Sequence, residues 1–289
     1  MRRVLLPALA VVLAGLACAR RASPTAPSSM DLQTLVSGGV ERTYLLHLPP
    51  NVDAAPRALI LSLHGYTATA AEQERLDGLG SLADEKGFIV VYPQGLGEPP
   101  GWRVGPLEAG DDDLAFLSDL IDDLASRYPI DPRRIYATGI SNGGGMVDRL
   151  GCRMADRIAA IAPVSGAYLF SGDCQPARPM PVLAFHGTGD DIVPYQGEGR
   201  ALPPIRDWAE AWAQRDGCRS GPTVTLQQGA ATVERWADCQ GDSEVQLVTI
   251  DGGGHWWPGA DFSPGIPRPT DDIDASAMIW AFFEKHQLP

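Results

Sequence analysis

The stretch "RIYATGISNGGGM", residues 134–146, sets four glycines around one serine directly behind an apolar run. Glycine is a poor residue for strand and helix interiors, so the crowding needs a cause. A flexible loop is one reading, but it would not need an apolar strand on one side and the helix start "NGGGMVDRLG" on the other. The other reading is a strand running straight into a helix through a turn so tight that the neighbours of Ser141 cannot carry side chains. That requirement demands a strand–turn–helix unit with its two elements in close contact.

The rest of the chain repeats this alternation. "TYLLHLP" (43–49), "ALILSLHG" (58–65), "FIVVYPQG" (88–95), "RIYATGIS" (134–141), "IAAIAPVSG" (158–166), "PVLAFHG" (181–187) and "VQLVTI" (245–250) read as strands. Several are continuously apolar, as in a parallel sheet covered on both faces. Apolar residues recur at three and four in 113–128 and 205–217, and 271–286 closes the chain as a third helix. The expectation is one doubly wound, mostly parallel α/β domain with helices on both faces. No internal repeat and no shift in composition marks a second domain.

At the amino terminus, Arg2 and Arg3 precede the apolar run Val4–Ala17, with small residues at Ala17 and Ala19. This reads as a secretory leader over residues 1–19. The run is too short and alanine-rich for a membrane span. Cys18 offers a second reading, lipoprotein processing, although Gly15, Leu16 and Ala17 fit a lipobox loosely; a lipid there would be the protein's only tie to a membrane. Residues 20–38 read as a flexible linker and 39–289 as the catalytic domain.

Four further cysteines remain, Cys152, Cys174, Cys218 and Cys239. An even number in an exported chain suggests disulfides. Of three possible pairings, Cys152–Cys174 with Cys218–Cys239 is the simplest, each bond closing a loop of about 20 residues and worth roughly 3 kcal/mol. A metal site lacks C-x-x-C spacing and a nearby histidine, and no metal or other cofactor is expected. The formal charge of −13 repels phosphate backbones, which argues against nucleic acid as a partner. A monomer is expected.

Residues 139–143 spell G-x-S-x-G, and the strand and helix around them are the setting of a nucleophile elbow. A serine nucleophile needs a base, and the base an orienting acid, in the chain order Ser, Asp or Glu, His. His47 and His64 precede Ser141, and His186 comes before any acid has appeared. His286 sits on the last helix, where a solvated histidine suits the helix dipole. His255 in "GGGHWWPG" is left as base. For the acid, "PVLAFHGTGDDIVPY" offers Asp190 and Asp191, whose side chains diverge in an extended loop; Asp251 is a third candidate. The oxyanion of acyl transfer needs two N–H donors. The backbones of Asn142 and of Tyr66 in "LSLHGYTATA" are placed to give them, and neither side chain is expected to matter much.

The blocks "LHGYTATA", "GFIVVYPQG", "DDLAFLSDLIDDL", "RIYATGISNGG", "PVLAFHGTGDDIVPY" and "GGGHWWPG" resemble the secreted α/β-hydrolase esterases grouped with polyhydroxybutyrate depolymerases, together with feruloyl and acetylxylan esterases of carbohydrate esterase family 1. The resemblance runs from about residue 40 to the carboxyl terminus. It implies Ser141 as nucleophile, His255 as base and Asp190 as acid, the fifth residue of "HGTGD". It also implies that Cys152/Cys174 and Cys218/Cys239 pair. The chain departs from the family at Tyr66, where cysteine is common, and at Gly145, where a bulkier residue is common; the second change is expected to loosen helix packing.

Trp102, Trp256 and Trp257 either line an aromatic acyl site or pack the loops. Asp111, Asp112 and Asp113 read as a helix cap rather than a metal site. The function expected is that of a serine esterase acting on ester substrates, polymeric ones included, with feruloyl or acetyl esters of plant polysaccharide favoured over polyesters. A serine peptidase and a non-catalytic surface binding protein are the rivals. The peptidase would usually bring a cap or propeller domain, and the binding protein would have lost a triad member.

Overall fold

Two strands whose carboxyl-terminal halves are wholly buried, β3 (Arg57–Leu63) and β5 (Ile130–Ile140), pair in parallel at the centre of one sheet. The protein is described here by a computed structural model covering residues 32–105, 112–169, 174–199, 201–260 and 271–289. The other strands are β1 (Leu32–Ser37), β2 (Val40–His47), β4 (Ile89–Pro93), β6 (Ala160–Val164), β7 (Val182–Gly187), β8 (Ser220–Gln228), β9 (Ala231–Ala237) and β10 (Val245–Ile250). Their order is β1-β2-β4-β3-β5-β6-β7-β10-β9-β8. The run from β4 to β10 is parallel, and two antiparallel strands extend it at each side.

The helices are α1 (Ala70–Asp77), α2 (Leu79–Lys86), α3 (Asp112–Arg127), α4 (Asn142–Arg153), α5 (Ile205–Arg215) and α6 (Ala275–Phe283). Leu117 of α3, Met146 of α4 and Trp212 of α5 belong to the core on one face of the sheet. Ala70, Ala83 and Ile279 of α1, α2 and α6 belong to the core on the other. Continuous apolar strands such as β6 and β7 are buried on both faces in consequence. The doubly wound α/β expectation matches this architecture, with a mixed rather than parallel character at the edges.

Several elements differ from expectation. Residues 32–37, read as linker, form edge strand β1, whose alternating burial fits a half-covered edge. Helices α1 and α2 were not foreseen because "AAEQERLD" and "LGSLADEK" carry little apolar periodicity. A capping box marks α1: Thr69 accepts from Glu72 N while Glu72 accepts from Thr69 N. The β8–β9 hairpin was also missed, β8 being polar and mostly exposed. The leader, Cys18 and Asp111 lie outside the described residues. Disulfides join Cys152 to Cys174 and Cys218 to Cys239. Among the described residues no helix is long and apolar enough to cross a membrane.

Candidate active site

Ser141, between the end of β5 and the start of α4, has φ 58° and ψ −121°, a conformation that L-residues seldom adopt. Such a backbone costs about 1–3 kcal/mol and persists only where the surroundings enforce it. Here Ser141 N donates to Val164 O at 3.0 Å, and Ser141 O accepts from Gly145 N and Ala167 N, both at 2.9 Å. A Cβ at Gly139 or Gly143 would strike the carbonyl of Leu63 on the neighbouring strand, so the glycines are a steric condition of the turn. Gly145 behaves likewise. A Cβ there would collide with the carbonyl of Ala167, so this glycine tightens the packing of α4 instead of loosening it.

Asp190 follows β7 and His255 follows β10, both beyond the same carboxyl-terminal edge of the parallel strands that Ser141 occupies. His255 Nδ1 lies 2.8 Å from Asp190 Oδ2. The two loops are pressed together: Gly189 N donates to Gly253 O at 2.8 Å, and Gly187 has no room for a Cβ against Gly253. Asp190 is 4 % exposed, and its Oδ1 accepts from the backbone of Ile192 (3.0 Å) and Val193 (2.8 Å). Burial disfavours its charge, but hydrogen bonds from His186 and His255 and the Val193 amide outweigh it and hold the pKa well below the usual carboxylate range. Asp191 is exposed, and Asp251 accepts from Thr188 Oγ1; neither meets His255. Ser141 Oγ makes no hydrogen bond among the described residues.

The backbone N–H groups of Tyr66 and Asn142 are both without a partner among the described residues. Gly65 lets that loop approach the elbow: its Cβ would lie 3.3 Å from Ser141 Cβ. Buried His64 braces the loop. Its Nδ1 donates to Gly65 O at 2.8 Å, and its Nε2 accepts from Gly95 N at 2.9 Å. Burial lowers its pKa and favours this neutral form. The Asn142 side chain, expected to matter little, clamps the backbone of Trp102.

Trp102 is 5 % exposed, and its Nε1 donates to His64 O at 2.9 Å. Trp256 and Trp257 are buried as well, and Trp257 Nε1 donates to Ser276 Oγ. All three rings are thus packed into the loops around the site. Asp113 is no simple cap: it is buried and pairs with Arg42 at 2.8 Å, a partner distant in sequence. His286 is mostly covered, with Glu244 and Phe282 beside it, rather than solvated. Sequence reasoning passed over the supporting histidines His64 and His186 because their partners are largely backbone groups of other loops. Among the described residues no cluster of His, Cys, Asp or Glu could hold a metal ion.

The sheet order, with a strained serine and the Asp190–His255 contact at one edge, is that of the α/β-hydrolase fold. The acetyl xylan esterase from Aspergillus awamori has the same fold, with a TM-score of 0.63 over 79 % of this chain and 95 % of that one at 17 % identity. Residues 42–193 match the esterase PHB depolymerase family, and the chain belongs to that family. It is 31 % identical to the putative esterase NocK of Nocardia uniformis subsp. tsuyamanensis, over 86 % of this chain and 80 % of that one. It is 35 % identical to feruloyl esterase B of Piromyces equi over 70 % of this chain, spanning only 40 % of that relative's length.

Proposed function

We propose that the protein is an exported carboxylic ester hydrolase working through an acyl-enzyme on Ser141. The observation that carries this reading is the 2.8 Å contact of His255 Nδ1 with Asp190, at the sheet edge where the strained serine stands. Asp190 only accepts, so Nδ1 carries the proton and Nε2 is the free base. In the first step Ser141 Oγ bonds to the ester carbonyl carbon and its proton passes to His255 Nε2. The carbonyl oxygen becomes an oxyanion facing the N–H groups of Tyr66 and Asn142. Collapse breaks the ester bond, and the leaving alcohol takes the proton from Nε2. Water then repeats the sequence on the acyl-enzyme, releasing the acid and restoring Ser141.

The names of the relatives support feruloyl or acetyl esters of plant polysaccharide as substrates. A polyester is the second reading, favoured by exposed Tyr66, Leu96, Leu169 and Ile192, which follow β3, β4, β6 and β7 at this edge. Export is supported by the basic and apolar amino terminus and by two disulfides, which persist in oxidising compartments. The test is hydrolysis of methyl ferulate, acetylated xylan and polyhydroxybutyrate film by the mature protein. Release of ferulate or acetate with an inert film supports the first reading, film erosion supports the second, and hydrolysis of none contradicts both.

A further inference from the structure

His186, the histidine of "HGTGD", takes no part in the steps above, yet its side chain is entirely buried against the triad acid. Its Nε2 lies 2.8 Å from Val193 O and 3.3 Å from Asp190 Oδ2. Both neighbours only accept, so Nε2 carries the proton. Asp190 Oδ2 is therefore approached by His186 from strand β7 and by His255 from the loop after β10, while two backbone amides hold Oδ1. The far side of the His186 ring raises a question. Nδ1 is buried with no partner, and so is Nε1 of Trp256, the neighbour of His255 in the chain. Both residues line one cavity of about 10 Å³, together with Ser165, Gly253 and Gly254. That volume suits one water molecule, and buried waters characteristically occupy polar gaps of this kind.

We propose that His186 is a positioning residue for Asp190, kept in its Nε2–H form by one buried water that accepts from Trp256 Nε1 and donates to His186 Nδ1. The one Nε2–H of His186, bonded to Val193 O and also reaching Asp190 Oδ2 at 3.3 Å, joins the Nδ1–H of His255 on that oxygen and limits rotation of the carboxyl group, and through it the direction in which His255 presents Nε2. The chain of contacts from Trp256 through the water to His186 then ties the loop that carries the base to the strand that precedes the acid.

The inference rests on the reading of Ser141, Asp190 and His255 as a triad, and its test has a part independent of turnover. A crystal structure of the wild-type protein should show a water within hydrogen-bond distance of both His186 Nδ1 and Trp256 Nε1; a dry cavity overturns the water bridge. The carbon resonance of the Asp190 carboxyl should titrate at higher pH in His186→Phe than in His186→Gln, whose amide N–H can replace Nε2–H. On a soluble ester, His186→Phe should lower kcat by about tenfold or more with KM held within about twofold, and His186→Gln should restore most of that loss. Equal losses in the two variants, or an unmoved Asp190 titration, overturn the positioning role. If His186→Phe does not fold, His186→Gln still decides it: kcat below about a tenth of wild type in a folded protein contradicts rescue by a donor. Activity surviving in Ser141→Ala would instead defeat the triad reading and leave the water and the titration to stand or fall separately.

Discussion

Asn142 grips the backbone of Trp102 from both sides: Oδ1 accepts from Trp102 N at 2.6 Å, and Nδ2 donates to Trp102 O at 3.0 Å. Trp102 in turn donates from Nε1 to His64 O, immediately before Gly65 and Tyr66. One side chain thus connects the two loops whose amides are proposed to face the oxyanion. Removing an oxyanion donor outright costs about a hundredfold to a thousandfold in kcat. Asn142→Ala displaces donors without deleting them, so kcat should fall by roughly 10- to 100-fold, more than KM rises. Steady-state kinetics on p-nitrophenyl acetate checks this, and a loss below about twofold in a fully folded variant would contradict it.

The two neighbouring aspartates should separate cleanly. Asp190 is buried against His255 while Asp191 faces solvent. Loss of the orienting acid in serine proteases lowers turnover by roughly four orders of magnitude. Asp190→Asn is expected to cost at least about a hundredfold in turnover, and Asp191→Asn less than about threefold. A larger loss at Asp191 would reverse the assignment.

Gly145 allows α4 to lie against the backbone of Ala167. Gly145→Ala inserts a methyl group where a carbonyl already sits, and overpacking of this kind costs about 1–3 kcal/mol. Calorimetry should show a lower melting temperature; an unchanged one would mean that helix and loop separate freely.

The pH dependence of stability should carry the mark of Asp148. This carboxyl on α4 accepts from Trp208 Nε1 at 3.0 Å and Trp212 Nε1 at 2.9 Å through the same oxygen. Burial pushes its pKa up to about 6, against the pull of those two hydrogen bonds. The folded state therefore holds a proton that the unfolded chain releases nearer pH 4. Its contribution is present below the unfolded pKa and is lost as the pH rises through about 6. Asp148→Asn keeps the accepting oxygen and removes the charge. Its stability relative to wild type should improve between about pH 4 and pH 7, by up to roughly 3 kcal/mol. Denaturation curves that run parallel across that range would contradict the assignment.

The centre of the fold was legible because β3, β4, β6 and β7 are buried on both faces and read as apolar runs broken only by Arg57, Ser62 and His186. The elbow was legible because its glycines answer to a steric condition that no other residue meets. The flanks were not: β8 is solvated, and α1 and α2 touch the core through few apolar side chains. What holds the site in place was hidden for a different reason. Asn142 on Trp102, His64 on Gly65 and Gly95, and His186 on Val193 are side-chain contacts to backbone groups, and residue types at those positions carry no record of what approaches them. Asp113 stands in the first turn of α3 as its sequence position implies, but its pairing with Arg42 was not legible because that partner lies on β2 and not in its own helix.

The proposed chemistry requires that Ser141 Oγ be the atom that becomes acylated. The measurement is the mass spectrum of the mature protein after reaction with a p-nitrophenyl phosphonate ester, followed by peptide mapping. One phosphonyl group on the peptide carrying Ser141, none on the Ser141→Ala variant, and loss of ester hydrolysis in step with labelling are the predicted result. Labelling at another residue, or undiminished hydrolysis by Ser141→Ala, would contradict it.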